Sequence, residues 1–137
     1  MPRFVDTNVL LYVVSDDPTE LQKKQCALDL LRQNDLAFST QVFAEFFVQA
    51  TRPSRQNPLS RDTAIAFLDT LAVFPVQSVT HAIFRAALDI QRRFQLCFWD
   101  AQIIAAARAS GCKQVLSEDL NASQDYGGVA AVNPFAT

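Results

Sequence analysis

Four carboxylates stand out for where they fall along the chain. Asp6 ends a short apolar run, Phe-Val-Asp-Thr-Asn, with the carboxamide of Asn8 two residues on and apolar residues resuming at Val9. Glu45 sits among Val42, Phe43, Phe46, Phe47 and Val48, in apolar company on almost every side. Asp100 follows Phe98-Trp99 and precedes the Ala-rich stretch AQIIAAARAS, and Asp119 follows Ser117-Glu118. Each has a local explanation. Asp6 and Asp100 can cap helices, because an Asp side chain accepts from the free N–H groups of a first turn. Asp119 can be a turn acid, and Glu45 can reach water from a helix edge. Asp6 is the hardest to dismiss in this way, since the end of a buried strand is a costly place for an unpaired charge. Taken together the four acids suggest a different chemistry. Carboxylates drawn to one place repel and raise each other's pKa values, and a divalent cation removes that conflict. The ligand atoms are all hard oxygens, which favours Mg²⁺ or Mn²⁺ over zinc. Carboxylate cages of this kind recur in phosphoryl transfer, where the cation polarises the phosphate and makes its water more acidic.

The acids have to be brought together by the elements that carry them. Residues 3–6 read as a short buried strand, and 9–14, apolar all round, as either a helix or a continuation of that strand. Asp16-Asp17-Pro18-Thr19 breaks the chain and starts a helix over about 20–32, with acids near its positive end. A brief strand at 36–38 leads into a helix capped by Ser39 or Thr40 that carries Glu45. Ser60 caps another helix, 74–76 is a strand with a possible extension to 79, and Thr80 opens a helix with an apolar stripe through Ile83, Ala87 and Ile90. Residues 96–99 read as a turn and Asp100 as the start of a helix that Gly111 ends. Strands follow at 114–116 and 129–132. Short apolar strands alternating with helices predict an α/β fold, a parallel sheet between helical layers. In such folds functional groups gather outside the carboxyl ends of the strands. That rule places Asp6 and Asp119 on one edge of the sheet.

Length and composition narrow the function classes. The chain has 137 residues, half of them hydrophobic, and reads as one domain over 1–137 with a sizeable core. No stretch approaches the roughly 20 apolar residues of a membrane helix, and nothing resembles a signal peptide, so a cytoplasmic protein without membrane attachment is expected. Cys26, Cys97 and Cys112 lack metal-ligand spacing and fit reduced thiols. With His81 the only histidine, zinc or Ser-His chemistry has little to work with. Net charge is −2, from 12 basic and 14 acidic groups. If a cation held the four acids, the remaining groups would sum to a formal +2, so weak acidity does not exclude a nucleic-acid substrate. Arg52, Arg55 and Arg61 lie in a segment without acids between Glu45 and Asp62, either a solvated loop or contacts for phosphate.

At this point the motifs resemble a known family. FVDTNVLLY, STQVFAEF, WDAQIIAAA and LSEDL, in that order, are similar to the motifs of PIN-domain ribonucleases, and most of all to the VapC-type toxins of bacterial toxin–antitoxin pairs. The tail GGVAAVNPF resembles the end of such toxins. The likeness spans nearly the whole chain. It implies a three-layer α/β/α sandwich with a central parallel sheet of about five strands. It also implies a Mg²⁺- or Mn²⁺-dependent endoribonuclease that acts as the toxin of a type II pair, with RNA as substrate. An antitoxin protein as inhibitor and a homodimer as the working form follow from the same likeness. The family's acidic site maps onto Asp6, Glu45, Asp100 and Asp119. Asp6 and Asp100 are expected as the principal metal ligands, with Glu45 and Asp119 completing the set directly or through water. Asn8 and Ser117 match residues that support the acids by hydrogen bonds, and Ser39 falls where members often carry Ser or Thr.

Other readings are distinguishable by single residues. A phosphatase of the haloacid dehalogenase type needs a second Asp where this chain has Asn8, and a response-regulator receiver needs a late strand-end Lys, whereas Lys113 lies before its strand. The non-enzymatic alternative is a catalytically silent PIN-like module that binds a partner protein; the complete set of four acids argues against it.

Overall fold

The first strand, β1 (Arg3–Val5), ends where Asp6 turns its side chain back on the chain. The Asp6 carboxylate accepts from the Thr7 N–H at 2.7 Å and so caps α1 (Thr7–Val13). This cap settles the ambiguous apolar run: it is helix, not strand. The structure, a computed structural model, describes residues 2–136. Met1 and Thr137, the two ends of the expected domain, lie outside the described residues.

Asp17 caps a single 3-10 turn (Pro18–Glu20) that runs into α2 (Leu21–Leu31). The strand β2 (Leu36–Ser39) follows, buried throughout. Ser39, Ser60 and Thr80 each accept from a backbone N–H three residues on, and so start α3 (Thr40–Ala50), α4 (Arg61–Leu71) and α5 (His81–Phe94). Between the last two lies β3, only Val76–Gln77, shorter than its apolar neighbourhood suggested. The sixth helix, α6, spans Phe98–Ala109. Here the sequence expectation fails: Asp100 is the third residue of α6 rather than its cap, and Phe98 and Trp99 are helical, not a turn. Cys97 holds the cap position without any side-chain bond. Gly111, with φ of +76°, follows the helix in the left-handed region that favours glycine. The strands β4 (Gln114–Leu116) and β5 (Ala130–Val132) close the chain.

All five strands are parallel, in the order β3-β2-β1-β4-β5. Helix α1 packs on both α2 and α3, and α3 on α4, while α5 packs on α6. Crossovers in parallel sheets are right-handed. From β1 the chain steps to β2 and β3 on one side, then crosses back to β4 on the other, which puts the two helix groups on opposite faces. The result is the expected three-layer α/β/α sandwich. Phe4, Val5, Phe38, Phe46, Ile104 and Val115 are wholly buried in its core. Among the described residues no helix is long and apolar enough to cross a membrane. β1 and β4 are neighbours whose connections leave in opposite directions, so a crevice opens at their carboxyl ends.

Candidate active site

That crevice receives a side chain from each of four elements. Asp6 comes from the end of β1, Glu45 from α3, Asp100 from the first turn of α6 and Asp119 from just beyond β4. All four line one cavity of about 180 Å³, together with Thr7, Asn8 and Gln49. The displacement of Asp100 from the cap position matters here. A capping carboxylate is tied to its own backbone, whereas Asp100 makes no side-chain hydrogen bond among the described residues and faces the cavity.

Asp6 is the innermost acid, with 6% of its surface exposed. Besides the Thr7 N–H, its second oxygen accepts from the Ser117 hydroxyl at 2.8 Å and, more distantly, from the Asn8 carboxamide at 3.4 Å. Burial pushes its pKa from 3.8 up to about 6; the bonds from Ser117 and Thr7 oppose the rise, and the charges of Glu45 and Asp100 add to it. Among the described residues no Lys or Arg forms an ion pair with any of the four acids.

Asn8 and Ser117 are both hydrogen-bonded to the acids. The Asn8 amide donates to the Ser117 hydroxyl at 3.1 Å and to the Asp119 carboxylate at 3.2 Å, and its carbonyl accepts from the Glu118 N–H at 3.2 Å. The Ser117 hydroxyl spends its one proton on Asp6 and accepts from the Asp119 N–H at 3.1 Å. One bonded unit thus joins the end of β1 to the segment after β4.

Sequence reasoning missed several residues. Thr7 donates its hydroxyl to Glu45 at 2.9 Å and fixes that acid's direction. Its position directly after Asp6 was the available signal. Glu118 accepts from Tyr12 and Lys23, and the Lys23 ammonium also lies 5.1 Å from the centre of the Tyr12 ring. Nothing in the sequence pairs Tyr12 with a residue more than a hundred positions away. Ser39, by contrast, is buried and serves as the cap of α3, accepting from the Val42 N–H at 3.3 Å.

Two larger hollows flank the acids. One, of about 540 Å³, shares Asn8 and Asp119 with the acidic cavity and is lined by Arg52 and Arg55. The other, of about 650 Å³, shares Glu45 and Gln49 and is lined by Trp99, Val48 and again Arg52. Arg61 joins neither: its guanidinium lies 6.0 Å from the centre of the Phe47 ring. The three arginines therefore divide, two toward the site and one away.

The donor set suits a hard divalent cation. Four carboxylates without basic partners converge on one cavity, and the raised pKa of buried Asp6 is what a nearby positive charge reverses. Among the described residues no three acids, His or Cys stand close enough, as placed, to grip one ion. Glu45 and Asp119 are instead turned onto Thr7 and Asn8.

Solved structures share this fold. The sequence model of the PIN domain matches residues 3–125. A search of curated proteins finds no match. Among solved structures, a toxin-antitoxin complex from Klebsiella pneumoniae is 20% identical at a TM-score of 0.68, covering 96% of this chain and 97% of that one. The Mycobacterium tuberculosis VapC20, a sarcin-ricin loop cleaving toxin, is 21% identical at a TM-score of 0.66, covering 85% and 91%. FitAcB from Neisseria gonorrhoeae is 19% identical at a TM-score of 0.69, covering 98% and 99%. At these identities the structural likeness speaks for the fold, while the sequence match extends over most of the chain. This chain belongs to the PIN-domain family.

Proposed function

We propose that the chain is the toxin of a type II toxin–antitoxin pair, a Mg²⁺- or Mn²⁺-dependent endoribonuclease working in the cytoplasm as a homodimer and silenced by a cognate antitoxin. One observation carries the nuclease reading. Four carboxylates from four separate elements line one cavity, their charges left uncompensated by any ion pair among the described residues. A protein keeping such a cavity only for structure would gain by pairing or burying those charges differently. The toxin reading leans on the structural neighbours: one is a toxin-antitoxin complex and another a sarcin-ricin loop cleaving toxin.

In this reading Asp6 and Asp100 would hold the cation, with Glu45 and Asp119 as the further carboxylates, directly or through water. The cation, when bound, supplies positive charge against the phosphate and a more acidic water. The protein's own part is positioning. Ser117 and the Thr7 N–H hold both oxygens of Asp6 in place. Thr7 aims Glu45, and Asn8 aims Asp119, so that either carboxylate can orient the attacking water or take its proton. Arg52 and Arg55 receive the RNA backbone beside Asp119.

Induced expression in a bacterial host tests the combined proposal. The wild-type chain should arrest growth and yield discrete RNA fragments, and Asp6→Asn and Asp100→Asn should grow normally at equal protein levels. Equal arrest by all three, or arrest without RNA fragments, would remove the ribonuclease and favour a PIN-like module that acts by binding a protein.

A further inference from the structure

Trp99 is 59% exposed, an unusual position for a tryptophan, and it stands next to Asp100 at the start of α6. It is held rather than loose. Its backbone carbonyl accepts from the Gln41 side chain at 3.1 Å, Gln41 is locked in turn by a 2.8 Å bond from Gln102, and the Phe98 ring meets the indole edge-on at 5.4 Å. The hollow it lines runs directly into the acidic cavity through Glu45 and Gln49. The neighbouring hollow is polar, with Arg52 and Arg55, and Gln49 and Arg52 border both.

We infer that Trp99 is a stacking platform for one unpaired RNA base, seated beside the phosphate that is cleaved. This rests on the nuclease reading and adds a subsite to it: one base held on Trp99, next to backbone phosphate at Arg52 and Arg55. An indole stacks on any base, because every base has a π-face. A base within a helix is already stacked and has no free face to offer. The apolar surface is also small: Trp99 and Val48 are its large exposed apolar side chains, with Ala44 beside them, where a stable protein interface takes about 20–30 residues a side.

Trp99 is the only tryptophan in the chain, so its emission reports this hollow alone. The experiment is a titration of the full chain, in EDTA to prevent cleavage, with a labelled mixed-sequence oligoribonucleotide of about eight nucleotides and with its duplex. Label anisotropy follows binding independently. The single strand should quench Trp99 emission in step with its binding, and the duplex at the same concentrations should not. Trp99→Ala should weaken single-strand binding on the order of ten- to a hundredfold, with Trp99→Phe keeping most of it. In cleavage assays the Ala variant should raise KM more than it lowers kcat. Single-strand binding with unchanged Trp99 emission, or equal quenching by the duplex, overturns the inference. So does a blue-shifted emission that depends on protein concentration before RNA is added, which assigns the face to a second copy of the chain. Quenching without RNA cleavage in Mg²⁺ removes the nuclease and keeps the stacking platform; cleavage without quenching does the reverse.

Discussion

Replacing Asp6 by Asn should abolish activity and, without metal, make the protein more stable. Burial favours the protonated carboxyl of Asp6, so the folded chain keeps a proton that the unfolded chain releases near pH 3.8. The folded state binds more protons than the unfolded one between that pH and about 6, and stability therefore falls as pH rises through this window. Above about 6 the whole penalty is in force. A pKa moved from 3.8 to about 6 corresponds to about 3 kcal/mol at 1.36 kcal/mol per pKa unit. Asn removes the charge and keeps the shape. Its amide then meets the Ser117 hydroxyl, which already accepts from the Asn8 amide and the Asp119 N–H, so one of those bonds must give way; one lost hydrogen bond costs about 1 kcal/mol. The net gain is about 2 kcal/mol, a rise in Tm of roughly 5–10 °C for a chain of this size. Thermal unfolding in EDTA across pH 4 to 8 measures it. Asp6→Asn should melt higher than wild type at pH 7.5, lose the advantage near pH 4, and show a flatter slope between. A variant that melts no higher than wild type at pH 7.5, or that keeps the wild-type slope, would show that the carboxylate is not desolvated as the structure has it.

Other expectations follow from the same geometry. Added Mg²⁺ or Mn²⁺ should stabilise the wild type above pH 6, by about 2.7 kcal/mol at a hundred times Kd, and hardly at pH 5, where protonated Asp6 competes; calorimetry should find this stabilisation largely absent in Asp6→Asn and Asp100→Asn. Tyr12→Phe removes a bond to Glu118 and should cost about 1 kcal/mol, with faster hydrogen exchange at the Glu118 N–H that Asn8 holds. Ser39→Ala removes the α3 cap and should cost about 1 kcal/mol in urea unfolding. Arg52→Ala and Arg55→Ala should each weaken RNA binding and lower its salt slope by about 1, whereas Arg61→Ala, removed from both hollows, should leave that slope unchanged.

Much of this was legible in the sequence because local rules and long-range geometry agree. A buried strand that ends in Asp, followed by Thr and Asn, has few ways to satisfy those polar groups, and the switch between β1 and β4 brings Ser117 and Asp119 to them. Where local signals competed, reading failed. Asp is so good a cap that it drew the start of α6 two residues too late, although Phe98 and Trp99 already lie on the helix. A run apolar on all sides, as in α1, has no periodicity to read, and only the Asp6 cap decided it. Contacts such as Tyr12 with Glu118 depend on the packing of α1 and α2 near the end of β4, for which neither short segment carries a signal. The arginine loop looked uniform in sequence, yet an aromatic neighbour at Phe47 draws Arg61 away from the site.

On the proposed function, four acids in one cavity cleave RNA with the help of a divalent cation. Its most direct test is incubation of the purified, antitoxin-free chain with a mixed cellular RNA pool, in Mg²⁺ or Mn²⁺ and then in EDTA, beside Asp6→Asn. The account predicts discrete fragments that require the cation and vanish in the variant. An intact pool in every condition from a folded protein, or fragments that persist with EDTA or in the variant, would contradict it.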